Sequence, residues 1–149
     1  MKCITLRQPH AAQVAAGIKI IENRTWTTNY RGPLLIHAGS GLDCDRSEYD
    51  LIVKTAAEFD KVELPTWAEL CARRGHILAQ VDIIDVFHED NIPDTYRGRW
   101  DLHGPWCWVL GNIRRVEPIP AKGKLGFWEF GGTIKFDAPA FTDWPVVVS

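Results

Sequence analysis

The sequence predicts an α+β domain: a small mixed β-barrel of about five or six strands, with helices inserted after the first and second strands. Three observations point there. Five or six strand-like runs can be marked out, all short. The helical stretches come early and do not alternate regularly with strands, which fits a doubly wound parallel sheet poorly. The 149 residues, 46% hydrophobic and 24% charged, suit one domain with one core.

Residues 2–5 read as the first strand. Pro9 is placed to open a helix at its first position, and the Ala-rich run 10–16 is strongly helix-forming. Gly17 then serves as the residue just past its end. Residues 18–26 read as an extended or looped segment. The run 33–38 (Pro-Leu-Leu-Ile-His-Ala) reads as a buried strand ended by Gly39-Ser40-Gly41. A helix over 43–59 is expected, with Asp43 as N-cap and Tyr49, Ile52, Val53, Ala56 and Phe59 on one face. A second, from Thr66 to Arg74, starts at a Thr cap and stops at Gly75.

Residues 76–87 form the clearest strand. Its apolar alternation shifts phase between Ile83 and Ile84, the mark of a bulge or of burial on both faces. Residues 88–105 read as a loop, or as a short helix plus a loop. Residues 106–110 and 114–119 read as two strands flanking a turn at Gly111-Asn112. A loop then closes on Trp128, and 133–136 is a possible last strand. The tail beyond has an apolar end, Val146-Val-Val-Ser149, suited to docking on the body or on another chain.

Composition narrows the classes of function. Cys3, Cys44, Cys71 and Cys107 are far apart and form no CxxC pair, so reduced, packed thiols are expected in place of a zinc site or disulfide framework. No metal or cofactor is expected. No apolar run approaches the ~20 residues of a membrane span. The first residues lack the apolar stretch of a secretory signal, so the expected compartment is the cytoplasm. Net charge is −2, whereas duplex-coating domains are strongly basic. A small ligand or a short single-stranded segment, held by a local patch, is the better expectation. Seven tryptophans are present. Core and loop packing accounts for most, and one or two near a basic cleft would be able to stack on bases.

Chemistry-bearing residues are densest between Gln8 and His37. Lys19, Glu22 and Arg24 follow the helix-ending Gly17, and Gln8, Trp26, Arg31 and His37 flank them. Glu22 and Arg24 share one side of an extended segment; Lys19 joins them only if the chain turns near Ile20-Ile21. Alone, the three charges also suit a surface ion-pair cluster of little energetic worth. Lys19 has two possible roles: a cation donating to phosphate or base carbonyl, or a general base. A nearby Glu22 favours the charged role, unless Glu22 is itself the base. Arg24 and Arg31 are suited to grip phosphate with paired donors.

The blocks Leu6-Arg-Gln-Pro9, Gly17-Ile-Lys-Ile-Ile-Glu-Asn-Arg-Thr-Trp26 and Tyr30-Arg-Gly-Pro-Leu-Leu-Ile-His-Ala38 closely resemble the ASCH (activating signal cointegrator homology) domain family of the PUA-like superfamily. The segment Gly75-His-Ile-Leu-Ala-Gln-Val-Asp-Ile-Ile-Asp-Val86, the Trp106-Cys-Trp-Val-Leu110 run and Pro120-Ala-Lys-Gly123 agree with it. The likeness covers residues 2–130 and leaves out the tail 131–149. It implies a PUA-like β-barrel and a cleft for RNA, DNA or a modified nucleobase. The family's GxKxxExR pattern falls on Gly17, Lys19, Glu22 and Arg24, and its next block on Arg31, Gly32 and His37. One bacterial branch removes the acetyl group of N4-acetylcytidine, with a lysine matching Lys19 activating a threonine. Here Glu22 stands in that threonine's place, and a carboxylate is not an equivalent acyl acceptor. The branch's separate acid has only Glu89, Asp90 and Asp101 as local candidates.

Three readings follow. The first is a module binding single-stranded RNA or DNA, or a nucleotide, through a cationic cleft at Gln8, Lys19, Glu22, Arg24, Trp26, Arg31 and His37. The second is a hydrolase, an amidohydrolase or ribonuclease, in which Lys19 and Glu22 are the acid-base pair. The third is a protein-interaction domain using the tail.

Overall fold

The structure is a computed structural model that describes residues 1–96 and 104–137. Trp100, Asp101, His103, Trp144 and the apolar end of the tail lie outside the described residues. The strands are β1 (Lys2–Gln8), β2 (Ile21–Arg24), β3 (Gly32–Leu42), β4 (His76–His88), β5 (Trp106–Pro120) and β6 (Trp128–Glu129). The helices are α1 (His10–Ala15), α2 (Arg46–Thr55) and α3 (Trp67–Ala72). One mixed sheet holds all six strands in the order β2-β5-β4-β3-β1-β6. β1 and β3 run parallel and every other pair is antiparallel.

The α+β class is as expected, but the barrel does not close. β1 and β2 never pair, although three strands carry the chain around from one to the other. The sheet curls far enough for Arg24 on β2 to reach the Thr5 carbonyl on β1, at 3.1 Å. A side chain therefore bridges the seam that a backbone ladder would close.

Both faces of the sheet are covered, which explains the near-continuous apolar runs of its central strands. Ile4, Leu6, Leu34, Ile36, Val81 and Trp108 pack with Ala11 and Val14 of α1 on one face. Cys3, Leu35, Ile77, Val116 and Trp128 pack on the other, beneath Phe130, Ile134 and Phe136. Adjacent Leu34 and Leu35 thus enter different clusters, as a period of two requires.

The phase shift in β4 is a bulge: Ile83 faces Leu110, Asp85 faces Val109, and Ile84 between them is 52% exposed. Gly17 (φ 77°) and Gly75 (φ 78°) end α1 and the turn after α3 in the left-handed region. Thr66 caps α3 in a complete capping box with Glu69.

Several boundaries differ from expectation. β3 runs on through Gly39-Ser40-Gly41 instead of stopping there. Those glycines give room, since a Cβ on Gly39 would lie 2.8 Å from Thr5 Cγ2. Residues 106–110 and 114–119 belong to one strand, β5, in which Gly111-Asn112 is a bulge and not a turn. Gln80 faces Arg114 while Asp82 faces Gly111, so β5 carries an extra residue there. The expected strand at 133–136 is a single bridge, Val116 with Phe136. Pro9 is the N-cap of α1 rather than its first helical residue. The N-cap of α2 is Asp45, not Asp43; Asp45 and Glu48 form the capping box. The helix expected to reach residue 59 widens into a π turn, Ala56–Asp60, ended by Lys61 at φ 57°. That widening rotates Phe59 off the packed face and leaves it 75% exposed. Cys3 and Cys107 are packed thiols as expected, and burial pushes Cys3 up to about 12, but Cys44 and Cys71 are half-buried. Among the described residues no helix is long and apolar enough to cross a membrane.

Candidate functional site

A cleft of about 750 Å³ occupies the open seam. Thr5, Leu6 and Arg7 of β1 form one wall and Glu22, Asn23 and Arg24 of β2 the opposite one. Pro9, His10 and Gln13 enter from the start of α1, Asp43 and Cys44 from the turn after β3, and Glu48, Leu51 and Ile52 from α2.

Lys19 enters the cleft because the chain doubles back after Gly17. The Gln13 carbonyl accepts from both Ile18 N (3.1 Å) and Lys19 N (3.2 Å), laying residues 18–19 along α1 before β2 begins at Ile21. This is the turn that convergence of Lys19, Glu22 and Arg24 requires. Lys19 Nζ meets Glu22 Oε1 at 3.3 Å, and both residues are only 8% exposed. The pair is therefore a built part of the wall, unlike a solvated surface ion pair.

Lys19 Nζ also lies 2.8 Å from His10 Nδ1, and His10 Nε2 lies 2.9 Å from Asp43 Oδ2. An ammonium only donates, so Nδ1 must accept and the ring must carry its proton on Nε2, pointing at Asp43. Asp43 Oδ1 receives Arg7 Nε. Burial first, and then Lys19, pull His10 below its ordinary range, while Glu22 and Asp43 oppose them. Burial likewise pulls Arg24 down and Glu22 pushes it back; a guanidinium stays charged regardless. Arg24 donates from Nη2 to Thr5 O, and its buried Nε has no partner among the described residues.

The seven residues singled out in the sequence do not share one pocket. Lys19, Glu22 and Arg24 come together; the other four lie elsewhere. Gln8 is fully buried: its Oε1 accepts from Ala12 N (3.0 Å) in the first turn of α1, and its Nε2 donates to Leu70 O (3.4 Å) of α3. Trp26 stacks edge-on against Trp108 and Phe127 at the rim of the core. Arg31 is on an exposed surface, paired with Asp85 at 3.3 Å. His37 is 1% exposed, with Nε2 donating to Ala121 O (2.7 Å) and Nδ1 accepting from Thr5 Oγ1 (3.1 Å).

Nor is the cleft strongly cationic. Arg7, Lys19 and Arg24 face Glu22, Asp43 and Glu48, three cations against three carboxylates. Sequence reasoning passed over His10, Asp43, Arg7 and the apolar flank of Leu51 and Ile52. Only His10 left a signal: it stands just after Pro9, at the start of a helix whose far end returns Lys19 toward it. Among the described residues no three His, Cys, Asp or Glu side chains are grouped to hold a metal ion.

Fold and site together define an α+β domain, an incompletely closed sheet with a charged seam. The ASCH domain family model matches residues 4–120, and the chain belongs to that family. It is also similar to the human protein Activating signal cointegrator 1, with 26% identity over 143 residues that cover 89% of this chain. The chain spans 22% of that relative's length.

Proposed function

We propose that the seam cleft binds one nucleotide of a single-stranded nucleic acid, RNA foremost, as expected of an ASCH domain. The observation that carries this reading is the convergence of Lys19, Glu22 and Arg24 on one cleft of about 750 Å³, whose other wall is β1. Balanced charge suits the edge of a base, which presents donors and acceptors side by side, better than a run of phosphates. Arg24 and Lys19 supply donors and Glu22 an acceptor. Leu51, 65% exposed, and Ile52 supply an apolar flank for the face of the base, a part for which Trp26 was one candidate in the sequence.

Titration of a short, labelled, mixed-sequence RNA at low salt tests this. Lys19→Ala and Arg24→Ala are each expected to weaken binding about tenfold or more, the size of a lost charge-assisted hydrogen bond, while the domain stays folded. Unchanged affinity in both variants contradicts the reading.

The contacts of Lys19 with Glu22 and His10 also favour a second reading, a hydrolase on a modified nucleoside amide or on RNA with Lys19 and Glu22 as the acid-base pair. Turnover of N4-acetylcytidine or short RNA that Glu22→Gln abolishes is its signature. No turnover on either substrate contradicts it.

A further inference from the structure

Lys19 has three N–H bonds to place. One goes to His10 Nδ1 at 2.8 Å and one to Glu22 Oε1 at 3.3 Å. Among the described residues nothing takes the third, and Lys19 lines the cleft. The direction of that third bond depends on the other two being held. His10 is itself held, from the far side of its ring, by Asp43 at 2.9 Å, and Asp43 is held by Arg7. Three elements that meet only in the folded chain thus converge on one ammonium: the start of α1, the turn after β3, and β1.

We propose that Asp43 and His10 are a positioning pair for Lys19, aiming its remaining N–H at a carbonyl oxygen of the bound base and releasing that aim when His10 is protonated. The proposal rests on the reading that the cleft takes a nucleotide, and it names the class of base. Uracil, cytosine and guanine carry a ring carbonyl; adenine carries none. An ammonium with two of its protons already committed to protein acceptors is a single fixed donor. It rewards a carbonyl and leaves adenine's edge without a match.

Protonation of His10 reverses the chemistry at Nδ1. The nitrogen gains a proton, stops accepting and faces the ammonium at 2.8 Å with like charge, so Lys19 must swing away. The charged groups around His10 are Arg7 on β1, Lys19 and Glu22 from the return segment and β2, Asp43 after β3, and Glu48 on α2. Glu22 and Asp43 favour the imidazolium, but burial and Lys19 outweigh them and keep the ring neutral to a lower pH than usual. At neutral pH the pair is therefore set, and acidification below the ordinary histidine range unsets it. Simple electrostatics predicts the opposite response: added positive charge draws a polyanion more strongly.

Oligouridylate and oligoadenylate affinities, measured between about pH 5 and 8 across the histidine range, test the proposal on the full chain. The wild type is expected to prefer oligouridylate about tenfold at neutral pH and to lose the preference as pH falls. His10→Leu, which offers Lys19 no acceptor, is expected to lose the preference at every pH. His10→Asn, whose Oδ1 accepts where Nδ1 did but does not titrate, is expected to restore part of it with a flat pH profile. Where the wild type binds oligonucleotides, absence of the preference, tighter oligouridylate binding on acidification, or an unflattened His10→Asn profile overturns the proposal. Ring ¹⁵N shifts of His10, recorded without RNA, decide separately from the binding reading. A neutral ring protonated on Nε2 at neutral pH supports the positioning pair even if no oligonucleotide binds. A ring protonated on Nδ1 overturns it.

Discussion

Glu22 is the counter-charge of a buried lysine. Its carboxylate meets Lys19 at 3.3 Å with both side chains about nine-tenths covered. Glu22→Gln leaves that ammonium without its counter-charge in a wall that admits little water. The variant is expected to lose about 1–3 kcal/mol of stability, less than a fully enclosed pair would, because the cleft opens to solvent. Chemical denaturation measures this; an unchanged midpoint would mean that the pair is no more than a surface contact. Much of this site could be read from residue types: lysine, glutamate and arginine just past a helix-ending glycine mark a place where chain direction is set and charge is gathered. Partners from distant segments could not. Asp43 is as plausible an N-cap as Asp45 in the sequence, and only the folded chain shows Asp45 bonded to Glu48 while Asp43 turns to Arg7 and His10.

Between elements, His37 shows how a residue from the same sequence block takes a different task. Trp128 Nε1 on β6 donates to Thr5 Oγ1 on β1 (3.1 Å), Thr5 Oγ1 donates to His37 Nδ1 on β3 (3.1 Å), and His37 Nε2 donates to Ala121 O after β5 (2.7 Å). The chain of donors runs in one direction and requires a neutral ring. Gly123 lies against it so closely that a Cβ there would sit 2.6 Å from Thr5 Oγ1. Burial holds His37 below its ordinary value of 6.5, against the backbone contacts to Ala121 and Gly75 that favour the charged form. His10 is held down in the same sense. Each ring binds protons more readily in the unfolded chain than in the fold. Their contribution is therefore complete above about pH 6.5 and is lost as pH falls from there toward the lowered folded values. Thermal unfolding followed across this range is expected to show a midpoint that falls on acidification. A midpoint that rises between about pH 6.5 and 5 would contradict the neutral assignments. In sequence His37 and Lys19 look alike, polar residues in an apolar block. Burial by the 121–128 segment separates them, and that segment lies more than eighty residues downstream.

At the level of the whole molecule, the central strand runs were readable because burial on both faces of the sheet leaves near-continuous apolar stretches in β3 and β4. The ladder was not. A glycine followed by asparagine suits a hairpin turn and an in-strand bulge equally well, and the length of β4 alongside decides for the bulge in β5. Closure was not readable either, since a barrel and a curled open sheet share their strand patterns. The difference carries the function proposed here: the seam left between β1 and β2 is the cleft, and Arg24 bridges it in place of a sixth pairing. Amide chemical-shift mapping on titration with a short single-stranded RNA addresses that claim most directly. The largest shifts are expected on the seam, at His10, Lys19, Glu22, Asn23, Arg24 and Leu51, with Arg31 and His37 little changed. Shifts centred on Arg31 and the surface around Asp85, or no shifts at all, would contradict it.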